Sequence, residues 1–219
     1  MADQLPLFPL NTVLYPGMPL PLHIFEERYR RLLRIRASEE IVFGVILIKS
    51  TNTTEVPLGM YPVGTAARLI SRRSKPDGRA DIVVTGTRRF RVQAENWSVG
   101  YYIADITYLD DDLGDGEKVD KLLEVTTQQF AHYVEGITRV TGRQFGGVRI
   151  SADPNEAAYD LTTRLPLHTW ERQRILEMDT TEERLEALRV LIDREVSLLF
   201  KAGAAGLAIN HPGDRFAAN

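Results

Sequence analysis

Cysteine is absent from the 219 residues. That excludes disulfides, thiolate metal sites and cysteine nucleophiles, and it suits a reducing compartment. A charge excess of one sign is also missing. Lys and Arg number 27 against 30 Asp and Glu, and a net charge of -3 argues for no particular partner. The longest apolar run is Ile41-Val42-Phe43-Gly44-Val45-Ile46-Leu47-Ile48. It is far below the roughly 20 residues of a membrane helix and reads as a buried strand. The start holds Asp3 and no basic segment, so no secretory leader is expected. Histidine occurs only at 23, 132, 168 and 211, without zinc-ligand spacing, and no metal or cofactor is expected. There is no Gly-x-Ser-x-Gly elbow and no Gly-Lys dipeptide, hence no phosphate-binding P-loop.

Proline, by contrast, is concentrated at the start. Leu5-Pro6-Leu7-Phe8-Pro9-Leu10 and Tyr15-Pro16-Gly17-Met18-Pro19-Leu20-Pro21-Leu22-His23-Ile24-Phe25 are apolar segments broken by five prolines. Proline cannot donate to a sheet ladder, so these are short extended pieces joined by turns. Glu26 to Arg36 follows as a helix. Tyr29, Leu32 and Leu33 form its apolar stripe, with Glu26 and Glu27 in the first turn and Arg34 and Arg36 in the last. Residues 64–73 and 80–86 read as a hairpin across Pro76-Asp77-Gly78, and 89–92 and 101–109 read as further strands.

Composition shifts at the acidic stretch 110–117, which reads as a linker. It lacks the glutamate spacing of a calcium loop. Beyond it the apolar period becomes helical. Val119, Leu122, Leu123, Thr126, Phe130, Val134 and Ile137 mark one face, and 142–147 breaks the helix. Asp153-Pro154-Asn155-Glu156 opens a second helix that ends before Pro166; Thr169 to Met178 forms a short one; Thr180-Thr181-Glu182-Glu183 caps the last. Leu185, Leu188, Ile192, Val196 and Leu199 share one face of that last helix. The expected organisation is a strand-rich part over 1–110, a helical part over 117–202 and a flexible tail over 203–219. Strands followed by helices indicate the α+β class.

Three segments, in order, resemble the N-terminal domain of Lon proteases. They are Tyr15-Pro16-Gly17 with Leu22-His23-Ile24-Phe25-Glu26-Glu27-Arg28-Tyr29, then Val63-Gly64-Thr65-Ala66-Ala67 through Pro76-Asp77-Gly78 to Arg89-Phe90-Arg91-Val92, then Arg164-Leu165-Pro166-Leu167 with Arg172-Gln173-Arg174-Ile175-Leu176-Glu177 and Glu183-Arg184-Leu185. The resemblance spans about residues 5–200. It implies a PUA-like, six-stranded β pseudo-barrel with one helix, followed by an α-helical bundle. The family also includes the corresponding region of cereblon and stand-alone bacterial members. It implies a docking platform for polypeptides. The ATPase and the serine–lysine protease of full-length Lon have no counterpart in these residues, so a peptidase label would come from the family name alone. Ser71, Ser74 and Lys75 sit at a hairpin turn, where an exposed lysine with a pKa near 10 is a poor base.

Two surfaces are candidates. Leu20, Leu22, Phe25, Tyr61 and Trp97 are the candidate peptide or partner surface. Arg68, Arg72, Arg73, Arg88, Arg89 and Arg91 are the candidate basic patch. The expected function is non-catalytic binding of unfolded or tagged polypeptides, or of a partner protein, in cytoplasmic protein quality control, with no membrane role. Shallow apolar contact is the expected mode, with strand addition as a second and arginines selecting acidic flanks. An RNA-binding protein using the basic 68–91 hairpin is the rival reading, since phosphate neutralisation dominates such binding. An uncharacterised hydrolase is the other.

Overall fold

Alternation of inward apolar and outward polar side chains over 80–86 and 101–106, and a buried run over 63–67, dictate strands, and a 3.6-residue period after 116 dictates helices. The computed structural model describes residues 3–35, 42–49, 59–98, 101–142 and 149–209. Its elements run β1 (Asp3–Leu10), β2 (Pro19–Ile24), α1 (Glu27–Ile35), β3 (Val42–Leu47), β4 (Val63–Ser74), β5 (Ala80–Ser98), β6 (Tyr101–Tyr108), α2 (Gly116–Thr141), α3 (Pro154–Arg164), α4 (Thr169–Glu177) and α5 (Thr181–Ile209). This is a mixed α+β chain with a six-stranded sheet. Arg36, Ile41, the 143–147 break, His211 and residues 210–219 of the expected tail lie outside the described residues.

The chain divides into two compact units, Met1–Asp111 with Leu167–Met178 and Asp112–Pro166 with Asp179–Asn219. In the first, the strand order is β2-β5-β4-β3-β1-β6, and β6 also pairs with β5. The sheet therefore closes into a ring of β5, β4, β3, β1 and β6, with β2 added alongside β5. Among the described strands, β1 and β3 run parallel, and the other strand pairings are antiparallel. Closure needs strong curvature. Bulges at Thr65/Ala67 and Leu69/Ser71 in β4 and at Val92/Ala94 in β5 supply it. The sequence splits β5 into two pieces; it is one strand of 19 residues. Its first half serves β2 and β4, and its second half serves β6.

Tyr29, Leu32 and Leu33 of α1 pack on Phe8, Leu14, Ile24, Phe43, Ile82 and Val84, and the rings of Phe8 and Tyr29 stack at 3.8 Å. A second cluster gathers Leu7, Ile46, Phe90, Tyr102 and Ile106. The short helix α4 also belongs to this unit, although the sequence assigns it to the helical part. The Tyr15 hydroxyl donates to the Arg172 carbonyl at 2.8 Å, and Gln173 Nε2 donates to the Val63 carbonyl at 2.9 Å.

In the second unit α2 and α5 pack together, each with a strong start. Asp115 caps α2 by accepting from the amides of Glu117 and Lys118. Thr180 and Glu183 form the capping box of α5, each side chain bonding the other's amide. Asp153 caps α3 through the Glu156 amide at 3.0 Å. The expected linker is thus partly built: Asp112 bridges to Thr180 and Asp115 opens α2. The last helix runs to Ile209, past the expected limit at 202. Among the described residues no helix is long and apolar enough to cross a membrane.

Candidate functional site

Strand β2 builds one side of the site because its side chains alternate. Leu20 and Leu22 are half-buried and pack inward on the α1 cluster; Pro19, Pro21 and His23 point outward and are exposed. Phe25 follows the strand and is 61% exposed, its ring 6.1 Å from that of His23. Register places His23 opposite Asp81 on β5, and Asp81 opposite Arg73 on β4. The result is a shallow depression of about 470 Å³ with Pro21, His23, Ser71, Arg73, Asp81 and Val83 among its walls.

Asp81 is the centre of its charge. It is bonded by Arg73 Nη2 at 2.8 Å, His23 Nδ1 at 2.6 Å and Lys75 Nζ at 3.2 Å. Those bonds, from Arg73 first, then His23 and Lys75, hold its carboxyl well below the usual carboxylate range. One carboxylate shared by Arg73 and Lys75 leaves the face cationic. The apolar walls of Pro21 and Val83 and the exposed Phe25 adjoin that charge. His23 and Asp81 were legible only as an ordinary histidine and an opposing charge, because 58 residues separate them and only sheet register joins them.

The free side of β2 has its own chemistry. Among the described residues β2 pairs with β5 alone. The Gly86 amide donates to the Met18 carbonyl at 3.0 Å. Antiparallel hydrogen bonding alternates, so Leu20, Leu22 and Ile24 face β5 and Pro19, Pro21 and His23 face away. Two of those three outward positions carry no amide hydrogen. An added strand finds too few donors there, which weakens β2 as an edge for strand addition.

Most of the remaining candidates are not brought to this face. Tyr61 is half-buried ahead of β4, with Lys49 Nζ 5.9 Å from its ring centroid. The Trp97 side chain lies outside the described residues. Arg72 and Arg73 do reach the depression. Arg68 is exposed on β4 opposite Val42 and Thr85, and Arg91 is half-buried. Arg88 pairs with Asp110 at 3.1 Å and lies over the Tyr108 ring. Arg89 is a correction: it is 1% exposed and belongs to no surface patch. Its Nε donates to Asp111 Oδ1 at 2.9 Å, Nη1 to the Leu176 and Met178 carbonyls at 3.0 and 2.7 Å, and Nη2 to the Asp110 carbonyl at 3.1 Å. It ties the end of α4 to the end of the sheet, a structural role.

A Lon N-terminal domain protein from Xanthomonas campestris superposes with a TM-score of 0.60 at 26% identity, covering 85% of this chain and 96% of that one. The N-terminal domain of a Mycobacterium avium complex Lon protease shares the fold with a TM-score of 0.60 at 17% identity, covering 87% and 98%. The Lon proteases of Escherichia coli K12 and Brevibacillus choshinensis are 26% and 28% identical over 90% of this chain. The chain spans about 25% of the length of either. The model of the ATP-dependent protease La (LON) substrate-binding domain matches residues 4–194, and the chain belongs to that family.

Proposed function

We propose that this chain is a non-catalytic polypeptide-binding domain of the PUA-like type, with its second unit acting as a helical bundle, working in cytoplasmic protein quality control. The single observation that carries the reading is the family match over 4–194. The outer face of β2, β5 and β4 is the docking surface. Apolar side chains of an unfolded segment lie on Pro21, Val83 and Phe25, while Arg73 and Lys75 favour acidic residues beside them. Binding is by side chains, because the prolines of β2 leave few donors for a ladder. A partner protein displaying an extended segment of the same composition would engage the same face.

An RNA-binding role gains less support. Arg73 and Lys75 already share Asp81, Arg88 pairs with Asp110 and Arg89 is buried. Titration of a chemically unfolded model protein onto the chain tests the proposal. The expected result is micromolar binding that drops about tenfold, roughly 1.4 kcal/mol, in the Phe25→Ala, Val83→Glu double variant. No binding at several hundred micromolar would sink the reading.

A further inference from the structure

Beneath the outer face, α1 and the tip of the β4–β5 hairpin enclose a small cavity of about 160 Å³. Ile24, Leu33 and Ala80 give it an apolar floor, and Arg30, Arg72 and Ser74 give it a polar wall. Both arginines are held in place. Arg30 Nε and Nη2 donate to the Gly78 and Asp77 carbonyls at 2.9 and 3.1 Å, and Nη1 pairs with Glu27 at 3.0 Å. The guanidinium lies so close over Gly78, at φ 79°, that a Cβ there would stand 1.9 Å from Nη2. The backbone angle requires glycine at this turn, and a larger residue would also displace the Arg30 guanidinium.

Arg72 is held differently. Its Nε donates to Ser74 Oγ and its Nη1 to the Leu33 carbonyl, both at 3.2 Å. Those acceptors are neutral, and among the described residues no carboxylate pairs with Arg72. A positioned guanidinium beside an apolar floor fits an anion that carries an apolar group. The same side chain also lines the outer depression, so cavity and face meet at Arg72.

We propose that the cavity receives the C-terminal end of a bound polypeptide, the terminal carboxylate on Arg72 and the last aliphatic or aromatic side chain on Ile24, Leu33 and Ala80. This rests on the polypeptide-binding reading of the outer face, where the preceding residues lie. The size sets the class: a cavity of about 150 Å³ accommodates one benzene-sized group, not a nucleotide or a strand. The chemistry sets the end: a free carboxylate matches guanidinium geometry and forms charge-assisted bonds, whereas an internal peptide or an amidated end brings no anion.

Two labelled peptides of one sequence ending in leucine, one a free acid and the other an amide, test this by fluorescence polarisation on the full chain. The acid is expected to bind at least tenfold more tightly, and at least fivefold more tightly than the same peptide ending in glycine. Arg72→Gln is expected to shrink the acid-to-amide ratio below twofold, and to change binding of an unfolded protein with a blocked C-terminus by no more than it changes binding of the amide peptide. An acid-to-amide ratio below twofold in the unaltered chain, or one that survives Arg72→Gln, overturns the proposal. Free 4-methylpentanoate competing as well as the peptide assigns the cavity to small acids and overturns the polypeptide source. If Arg72→Gln fails to fold, the leucine-to-glycine ratio decides: a ratio below twofold overturns the proposal. Failure of the blocked unfolded protein to bind strikes the outer-face reading, and the acid-to-amide ratio then reports on the cavity alone.

Discussion

Arg89 shows where alternation along a strand stops being informative. Arg89-Phe90-Arg91 reads as a charged face opposite an apolar one, yet Arg89 is 1% exposed and bonds four main-chain and carboxylate groups. Alternation says which residues share a face; it does not say whether another element covers that face, and here α4 does. Replacing Arg89 by methionine leaves Asp111 and the carbonyls at the end of α4 without their donor, and urea unfolding is expected to show a loss of about 3 kcal/mol. Tyr29 carries a second residue-scale expectation. Burial pushes its hydroxyl from 10.0 up to about 12. A group whose folded pKa is raised stabilises the fold below its unfolded pKa and loses that contribution as pH rises through the folded one. Stability should therefore fall between about pH 10 and 12, by roughly 2–3 kcal/mol, and Tyr29→Phe should remove that decline in alkaline melts. Asp81 works in the opposite sense. Its depressed pKa gives a contribution present above about pH 4 and lost as pH falls below it, so Asp81→Asn should lose less stability than the parent between pH 5 and 2.

At the scale of elements, local chemistry was legible wherever it is self-contained. The Pro76-Asp77-Gly78 turn, the Asp153 cap and the Thr180–Glu183 box each need only neighbouring residues, and each stands where the sequence puts it. The continuity of β5 was not legible, because Gly86 inside it resembles a break. Gly86 is there for close approach: a Cβ would stand 2.1 Å from the Tyr15 carbonyl oxygen, where the chain entering β2 crosses. Gly86→Ala should cost about 3 kcal/mol in thermal or urea unfolding, through overpacking against a backbone that cannot withdraw. The depression was half legible. Leu22, Arg72 and Arg73 were read from sequence; His23 and Asp81 join them only through register. β2 also carries a solubility device. Pro21→Thr restores an edge donor, and sedimentation should then show concentration-dependent self-association absent from the parent.

At the scale of the whole molecule, the order of strands and helices was legible and the interleaving of the two units was not. No local pattern says that 167–178 returns to the strand unit; that depends on Gln173 meeting Val63 across 110 residues and Tyr15 meeting Arg172 across 157. The charge pattern makes a further expectation. With -3 overall, Arg73 and Lys75 sharing Asp81 and Arg79 paired with Asp77, bulk RNA should produce no mobility shift at physiological salt. The return of α4 also sets a timetable. A ribosome releases β1 well before β6, so β1 meets β6 only after Leu5 can reach Ala104, and Arg89 has no acceptor at Leu176 or Met178 until α2 and α3 have already been made. At about 5–20 residues per second, that interval is on the order of ten seconds. For that time the nascent chain displays unfolded apolar segments of the kind it is proposed to recognise in others, so its own synthesis is a period of exposure to chaperones and proteases.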